Sequence, residues 1–337
     1  MSVIIIVGGF FGDEGKGKII SYLSLHDNPS IVVRGGVGPN AGHTIIHNNK
    51  TYKIRMIPSG FINKKTQICI GPGVLINPEV LLQEIKQLNL NDRTLIDKNC
   101  GIIENKHLND DASNFLKNKI GSTGTGTGPA NSERAMRILK IAKNVKILSS
   151  YVTDVPKLLN AAIDENKKLL VEGTQGTYLS LWHGTYPFVT SKDVTASSIC
   201  ADVGIGPKRV DDIIIVFKSY VTRVGKGPLI NELSSSEIQN MGFSEHGTVT
   251  GRKRRAAEFD INLAKRAIML NSATQVAITK LDILFPNCVH KKTFDDLSSE
   301  AKIFIIKLEK SLNTPITLIG TGPEIYDIID LRDQKLS

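Results

Sequence analysis

The sequence predicts an α/β fold, a single large domain with a mostly parallel central sheet flanked by helices. Two observations carry this. Short β-branched runs alternate with amphipathic stretches along most of the chain, and several of the apolar runs lead straight into Gly-rich segments. Residues 4–7, 30–33, 68–70, 169–171, 213–217, 276–278 and 316–319 read as buried strands. Residues 16–24, 78–88, 132–141, 155–166, 260–271 and 298–312 carry helical spacing. In the third of these helical segments, Ala135, Ile138, Leu139 and Ala142 are expected to face inward, leaving Arg134 and Arg137 outside. No internal repeat, low-complexity tract or linker divides the 337 residues, so residues 1–337 read as one domain. On open α/β sheets ligands sit beyond the carboxyl ends of the strands, which is where the Gly-rich segments fall.

Composition narrows the function classes. Hydrophobic residues at 41% and charged residues at 22% are ordinary for a globular protein, and no apolar run approaches the roughly 20 residues that span a bilayer. The first residues lack a basic leader, so a cytoplasmic location without membrane attachment is expected. Cys69, Cys100, Cys200 and Cys288 share no metal-type spacing and read as small buried hydrophobes. The net charge of +9 suits nucleic acid or anionic metabolites. Aromatics are 6% and the one dense basic run, Arg252 to Arg255, sits inside a Gly/Thr-rich loop, so composition alone leaves the choice open. A nucleic-acid patch would be expected to have further basic clusters, and none comparable occurs, so no nucleic-acid partner is expected once that run has another reading.

The first strand runs into Gly8-Gly9-Phe10-Phe11-Gly12-Asp13-Glu14-Gly15-Lys16-Gly17-Lys18. Small residues let backbone N–H groups close on phosphate oxygens, and the helix start behind them adds positive potential. Gly12-x4-Gly17-Lys18 matches the opening of a P-loop, so the fold reads as P-loop-NTPase-like. Ile19 stands where a Ser or Thr hydroxyl would hold Mg²⁺. Asp13 repels phosphate unless a metal or a proton intervenes, which marks it as a metal ligand, a base, or both. A second Gly-rich loop, residues 34–44, supplies Asn40 and His43, and an imidazole there suits proton handling.

GDEGKGK at 12–18 together with NAGHT at 40–44 resembles the adenylosuccinate synthetases. The similarity continues in order through IGSTGTGTGPA at 120–130, VEGTQGT at 171–177, HGTYPFVTS at 183–191, GIGPKRVD at 204–211, TRVGKGP at 222–228, GTVTGRKRR at 247–255, TKLD at 279–282 and GTGPE at 320–324. The resemblance implies a Mg²⁺-dependent ligase of purine (AMP) biosynthesis. GTP phosphorylates O6 of IMP, and the amino group of L-aspartate then displaces that phosphate to give adenylosuccinate, GDP and phosphate.

Residue by residue, the resemblance makes Asp13 the base at N1 and a Mg²⁺ ligand, with Gly42 offering its carbonyl to the metal. It makes His43 the acid at O6 and Lys16 a fixed cation nearby. GTP would meet Gly12, Asp13, Glu14, Gly15, Lys16, Gly17, Lys18, Gly42, His43, Thr44 and Arg254. Its base would meet Lys280, Leu281, Asp282, Gly320, Thr321 and Gly322, Asp282 accepting from N1–H and the 2-amino group of guanine. IMP would contact Asp13, Asn40, Ala41, Gly42, His43, Thr123, Gln175, Thr190 and Arg252, and Arg137 would reach its phosphate from the neighbouring subunit of a homodimer. Aspartate would lie on Thr248, Val249, Thr250, Gly251, Arg252, Lys253 and Arg254, whose guanidinium forks match carboxylates.

The chain departs from the common bacterial pattern. Phe11 replaces Trp, residues 36–40 are slightly longer, and the whole is shorter, as in the compact archaeal type. The rival within the family is the phage-type enzyme that makes 2-aminoadenylosuccinate from dGMP. That branch carries a small residue in place of the first-loop aspartate, so Asp13 favours IMP. A regulatory GTP switch would want a hydroxyl after Lys18, and Ile19 argues against it.

Overall fold

The structure, a computed structural model, describes residues 3–112, 115–243, 251 and 253–336. Thr248, Val249, Thr250 and Arg252 therefore lie outside the described residues. A ten-stranded sheet organises the molecule. Its strands are β1 (Val3–Gly8), β2 (Ile31–Arg34), β3 (Gln67–Ile70), β4 (Thr94–Asp97), β5 (Val152–Thr153), β6 (Leu169–Glu172), β7 (Asp212–Lys218), β8 (Gln275–Thr279), β9 (Ile316–Gly320) and β10 (Ile328–Asp330). They lie in the order β10-β9-β8-β7-β1-β6-β2-β3-β4-β5, with every neighbouring pair parallel except β9 and β10.

Parallel strands need covered faces, and the side chains of β1 show how both are covered. Val3, Ile5 and Val7 enter one apolar cluster; Ile4 and Ile6 enter the other. The first cluster takes in α4 (Val155–Asp164), α5 (Ala196–Val203), α6 (Ile261–Asn271) and α7 (Ser299–Leu312). The second takes in α1 (Lys16–Asp27) and α2 (Pro78–Leu88). The remaining named helix, α3 (Thr127–Met136), covers a small cluster of Leu75, Ile103 and Ala130. Helix starts are capped where the chain supplies a short polar side chain. Asn77, Asp154, Asp260 and Ser298 accept from the N–H groups of Val80, Lys157, Leu263 and Ala301. Among the described residues no helix is long and apolar enough to cross a membrane.

One expected element is displaced. The helix assigned to residues 132–141 runs from Thr127 to Met136, because Gly126 turns the chain at φ 78° just before it and Arg137 ends it at φ 65°. Ala135, still inside the helix, is exposed rather than inward; beyond Met136 the 3.6-residue phase is lost, and Ile138 is exposed while Leu139 is half-buried and Ala142 buried. Arg134 is not an outward residue either: it donates to the carbonyls of Pro72 at 2.9 Å and Asn99 at 3.1 Å. Arg137 is exposed, as expected.

Between β2 and β3 a hairpin, His43–His47 with Lys50–Ile54, projects beside α1. Glu84 of α2 secures its exit by accepting from the N–H groups of Arg55, Met56 and Ile57 at 2.6, 3.0 and 2.9 Å. Tight packing at the centre of the sheet sets a further demand. A Cβ on Gly9 would lie 2.0 Å from the Phe217 ring. Gly9→Ala is therefore expected to cost about 1–3 kcal/mol through overpacking. Urea denaturation checks this; unchanged stability would show that the Phe217 ring can retreat.

Candidate active site

The carboxyl ends of β1, β2, β6 and β8 deliver four loops to one cleft of about 760 Å³. From β1 comes the first Gly-rich loop, and Glu14 shapes it from inside. Its buried carboxylate accepts from the N–H groups of Phe10 at 3.0 Å and Gly12 at 2.8 Å, and from Lys16 Nζ at 2.8 Å. Lys16, also buried, donates in addition to the Gln175 carbonyl, and Thr279 at the end of β8 donates to the Glu14 carbonyl at 2.6 Å. Gly15, at φ 86°, precedes α1 with no side-chain cap, so the first N–H groups of a twelve-residue helix open on the cleft. Asp13 sits at φ 62°, Gln175 at 53° and Lys280 at 62°. Left-handed backbone at three non-glycine positions is held only where neighbours over-determine it.

From β2 come Asn40, Ala41, Gly42, His43 and Thr44, all lining the cleft. His43 is buried between two contacts. A Cβ on Gly17 would lie 2.8 Å from its Nδ1, so glycine is required for the ring to approach α1. On its other side Nε2 lies 3.2 Å from Glu172 Oε1, out of line for a hydrogen bond. Burial holds the ring's pKa well below 6.5, and the charges of Arg34 and Lys16 push it further down. The imidazole is thus neutral around pH 7.

Glu172 ends β6 opposite Arg34, its register partner at the end of β2. The two form a wholly buried pair at 3.0 Å. Arg34 donates as well to the Arg55 carbonyl at 2.9 Å, and Glu172 Oε2 accepts from the Ser59 N–H at 2.5 Å. Burial raises the Glu172 carboxyl and lowers the Arg34 guanidinium, each opposed by the partner's charge.

Opposite the first loop, Asp111 accepts from Ser122 Oγ at 2.5 Å and the Gly126 N–H at 2.7 Å, fixing the loop that carries Thr123. Asn40 Nδ2 donates to Thr190 Oγ1 at 3.1 Å. Arg223 is buried and lines the cleft with no acidic partner among the described residues. It donates to the carbonyls of Phe188, Lys226 and Pro228, each at 2.9 Å, and its guanidinium stacks 4.4 Å above the Phe11 ring. Burial lowers it to about 10. Arg254 reaches Asp13, Nε to Oδ2, at 3.0 Å.

Of the residues assigned from sequence, those from Gly12 to Lys18, those from Asn40 to Thr44, Thr123, Gln175, Thr190, Arg254, Lys280 and Gly322 line this cleft. Leu281, Asp282, Gly320 and Thr321 are not on its wall, and Gly251, Lys253 and Arg137 are exposed elsewhere. Asn40 Oδ1, Gln175 Nε2 and Asp282 Oδ1 are buried with no hydrogen-bond partner among the described residues. Orphaned polar atoms are costly, and those of Asn40 and Gln175, both on the cleft wall, fit a site completed by ligand. Sequence reasoning missed Glu172, Arg34, Asp111 and Arg223. A signal existed for the first pair: opposite charges, each closing an otherwise apolar run in IVVR and LLVE.

A parallel sheet with a phosphate cradle, a carboxylate inside that cradle and a buried neutral imidazole define a nucleotide-binding α/β enzyme equipped for phosphoryl and proton transfer. A family model described as adenylosuccinate synthetase matches residues 5–142 and 137–290. The chain belongs to the adenylosuccinate synthetase family. It is 51% identical over 341 residues to the adenylosuccinate synthetase of Methanosphaera stadtmanae, covering all of both chains. It is 52% identical to that of Methanocaldococcus jannaschii, covering 99% of this chain and 98% of that one. The fully ligated Plasmodium falciparum adenylosuccinate synthetase superposes with a TM-score of 0.92 at 28% identity, over 98% of this chain and 100% of that one. A cyanophage S-2L succinoaminodeoxyadenylate synthetase bound to dGMP and dATP shares the fold, with a TM-score of 0.81 at 24% identity over 98% and 95%.

Removing Glu172 leaves Arg34 charged and buried. Glu172→Ala is expected to cost roughly 3–5 kcal/mol in urea denaturation, the cost of breaking a buried pair. A loss under about 1 kcal/mol would mean that carbonyls alone satisfy Arg34.

Proposed function

We propose that the chain joins L-aspartate to C6 of IMP at the expense of GTP, forming adenylosuccinate, GDP and phosphate through 6-phosphoryl-IMP. The observation that carries this reading is the meeting of Asp13, His43 and the open start of α1 in one cleft. Asp13 takes the proton from N1, which makes the amide-like O6 nucleophilic. His43, buried and neutral, donates to O6 as an N–H group and steadies the charge that develops there. Lys16, locked between Glu14 and the Gln175 carbonyl, is a fixed positive charge beside the transferring group. O6 attacks the γ-phosphorus and GDP leaves; the aspartate amine then attacks C6 and phosphate leaves with O6.

Mg²⁺ fits the donor set. Such a site needs only one or two hard oxygens besides substrate phosphates. Asp13 and the Gly42 carbonyl supply them from one cleft, and among the described residues no group of three His, Cys, Asp or Glu side chains offers a closed metal cage. When bound, the ion offsets negative charge on the transferring phosphoryl group.

Asn40, Thr123, Gln175 and Thr190 hold IMP, with orphaned atoms on Asn40 and Gln175 offering an acceptor and a donor. Asp282 selects guanine; its Oδ1 is buried without a partner and burial raises its carboxyl. Thr248 to Arg254 receive aspartate, and of these residues Arg254 reaches Asp13. The enzyme works as a homodimer. Arg137 lies exposed between Met136, 56% exposed, and Ile138, 65% exposed, an apolar setting suited to a second copy. One continuous sheet supports reading residues 1–337 as one domain, and metabolite substrates support a cytoplasmic setting.

Turnover, followed by the ultraviolet change of adenylosuccinate, should require IMP, aspartate, GTP and Mg²⁺ together. Consumption of dGMP without IMP would overturn the substrate assignment. Asp13→Asn is expected to lose at least about 10²–10⁴-fold in rate, and Arg137→Leu about ten- to a hundredfold in IMP affinity. Mixing the two variants should restore activity through hybrid sites. No recovery under free subunit exchange would place Arg137 outside the neighbouring site.

A further inference from the structure

Lys18 occupies the position of the lysine that a P-loop aims at the nucleotide's β- and γ-phosphates. Its ammonium points elsewhere. It donates to the carbonyl oxygens of Gly322 and, at 2.7 Å, of Asp327, more than 300 residues away in sequence. Those two carbonyls belong to a turn that is closed on itself. The Thr321 N–H donates to the Asp327 carbonyl at 2.9 Å, and the Glu324 N–H donates to Asp327 Oδ2 at 3.0 Å. His290 and Lys292 hold the Asp327 carboxylate at 2.9 Å each, and Thr321 Oγ1 donates to the Lys291 carbonyl at 2.7 Å. Even the missing side chain at 322 is part of the closure, since a Cβ there would lie 2.5 Å from Asp327 Oδ2.

On its α1 side this turn is fastened by Lys18. An ammonium has three N–H groups on one atom, so it can satisfy two converging carbonyls that a single backbone donor could not. Burial lowers Lys18 to about 7, while the carboxylates of Asp327 and Asp282 favour its charged form. The same turn follows β9, and Gly320 to Gly322 are the residues read above as flanking the guanine base. Lys16, by contrast, is held by Glu14 of the first loop and by the Gln175 carbonyl.

We propose that Lys18 is a positioning residue of the guanine pocket rather than a phosphate ligand. It fixes the turn at 321–327 against α1 and thereby places the backbone that meets the base. This rests on the GTP assignment made above. The consequence is specific: a guanine nucleoside with no phosphates should depend on Lys18 as strongly as GTP does.

The test compares dissociation constants of guanosine, GDP and GTP for the unaltered protein, Lys18→Arg and Lys18→Met. Lys18→Met should weaken all three by a common factor of about ten. Lys18→Arg, which keeps the charge but changes the donor geometry, should fall between. The KM for IMP should stay unmoved, which a general loss of structure would not allow. Should Lys18→Met fold poorly, hydrogen exchange in Lys18→Arg gives the second reading, with faster exchange expected at 321–327 and not at 9–17. A loss that grows with each phosphate and vanishes for guanosine would overturn the proposal, as would unchanged GTP binding or unchanged exchange. If the unaltered protein binds ATP as tightly as GTP, the parent assignment fails, and that is visible before any variant is made.

Discussion

The buried ion pair between Arg34 and Glu172 is the interaction on which the site depends. Taking two charges out of water is expensive, and the attraction between them repays this only when further hydrogen bonds satisfy the remaining atoms. Here they do. Arg34 also holds the Arg55 carbonyl at the hairpin exit, and Glu172 also holds the Ser59 N–H beside α1. The pair joins the ends of two neighbouring strands, β2 and β6, at the edge from which the loops spring. His43 lies against it, 3.2 Å from Glu172. A charge pair that only stabilised the sheet could sit anywhere along these strands; this one sits where the His43 loop and the Gln175 loop begin.

The first loop solves a related problem in a different way. A glycine-rich turn offers N–H groups to phosphate but has little to hold its shape. Glu14 supplies that shape from within, drawing Phe10, Gly12 and Lys16 onto one carboxylate. This leaves Asp13 turned out at positive φ towards the cleft. Two adjacent acidic residues in one phosphate loop thus have opposite fates, one structural and one exposed to ligand. Arg223 plays a comparable part across the cleft, holding three carbonyls from two segments with its single guanidinium.

Much of this was legible in the sequence. The strand runs at 4–7, 169–171 and 316–319 form strands one or two residues longer, and the helix at 78–88 keeps its expected bounds because Asn77 caps it and Asn89 ends it at φ 54°. β-branched runs covered on both faces leave a strong signal. The edge strands β5 and β10, two and three residues long, leave almost none, and the hairpin at 43–54 is too polar and exposed for clear alternation. The helix near 132 was misplaced because its apolar residues continue past its true end at Arg137. In the site, motif order pointed to Asp13, His43 and Gln175. It could not reveal that Glu14 faces inward, that Lys18 reaches a turn after β9, or that Glu172 meets Arg34. The last two contacts join distant parts of the chain, and only the strand order makes them neighbours, whereas Glu14 turns inward onto its own loop.

The most direct test of phosphoryl transfer to the base is the fate of one oxygen atom. IMP labelled with ¹⁸O at O6 would be turned over with GTP and aspartate, and the released phosphate weighed by mass spectrometry. Passage through 6-phosphoryl-IMP carries that oxygen to phosphorus, so each phosphate should hold one labelled atom. Unlabelled phosphate, with the ¹⁸O recovered in water, would contradict the roles given to Asp13 and His43.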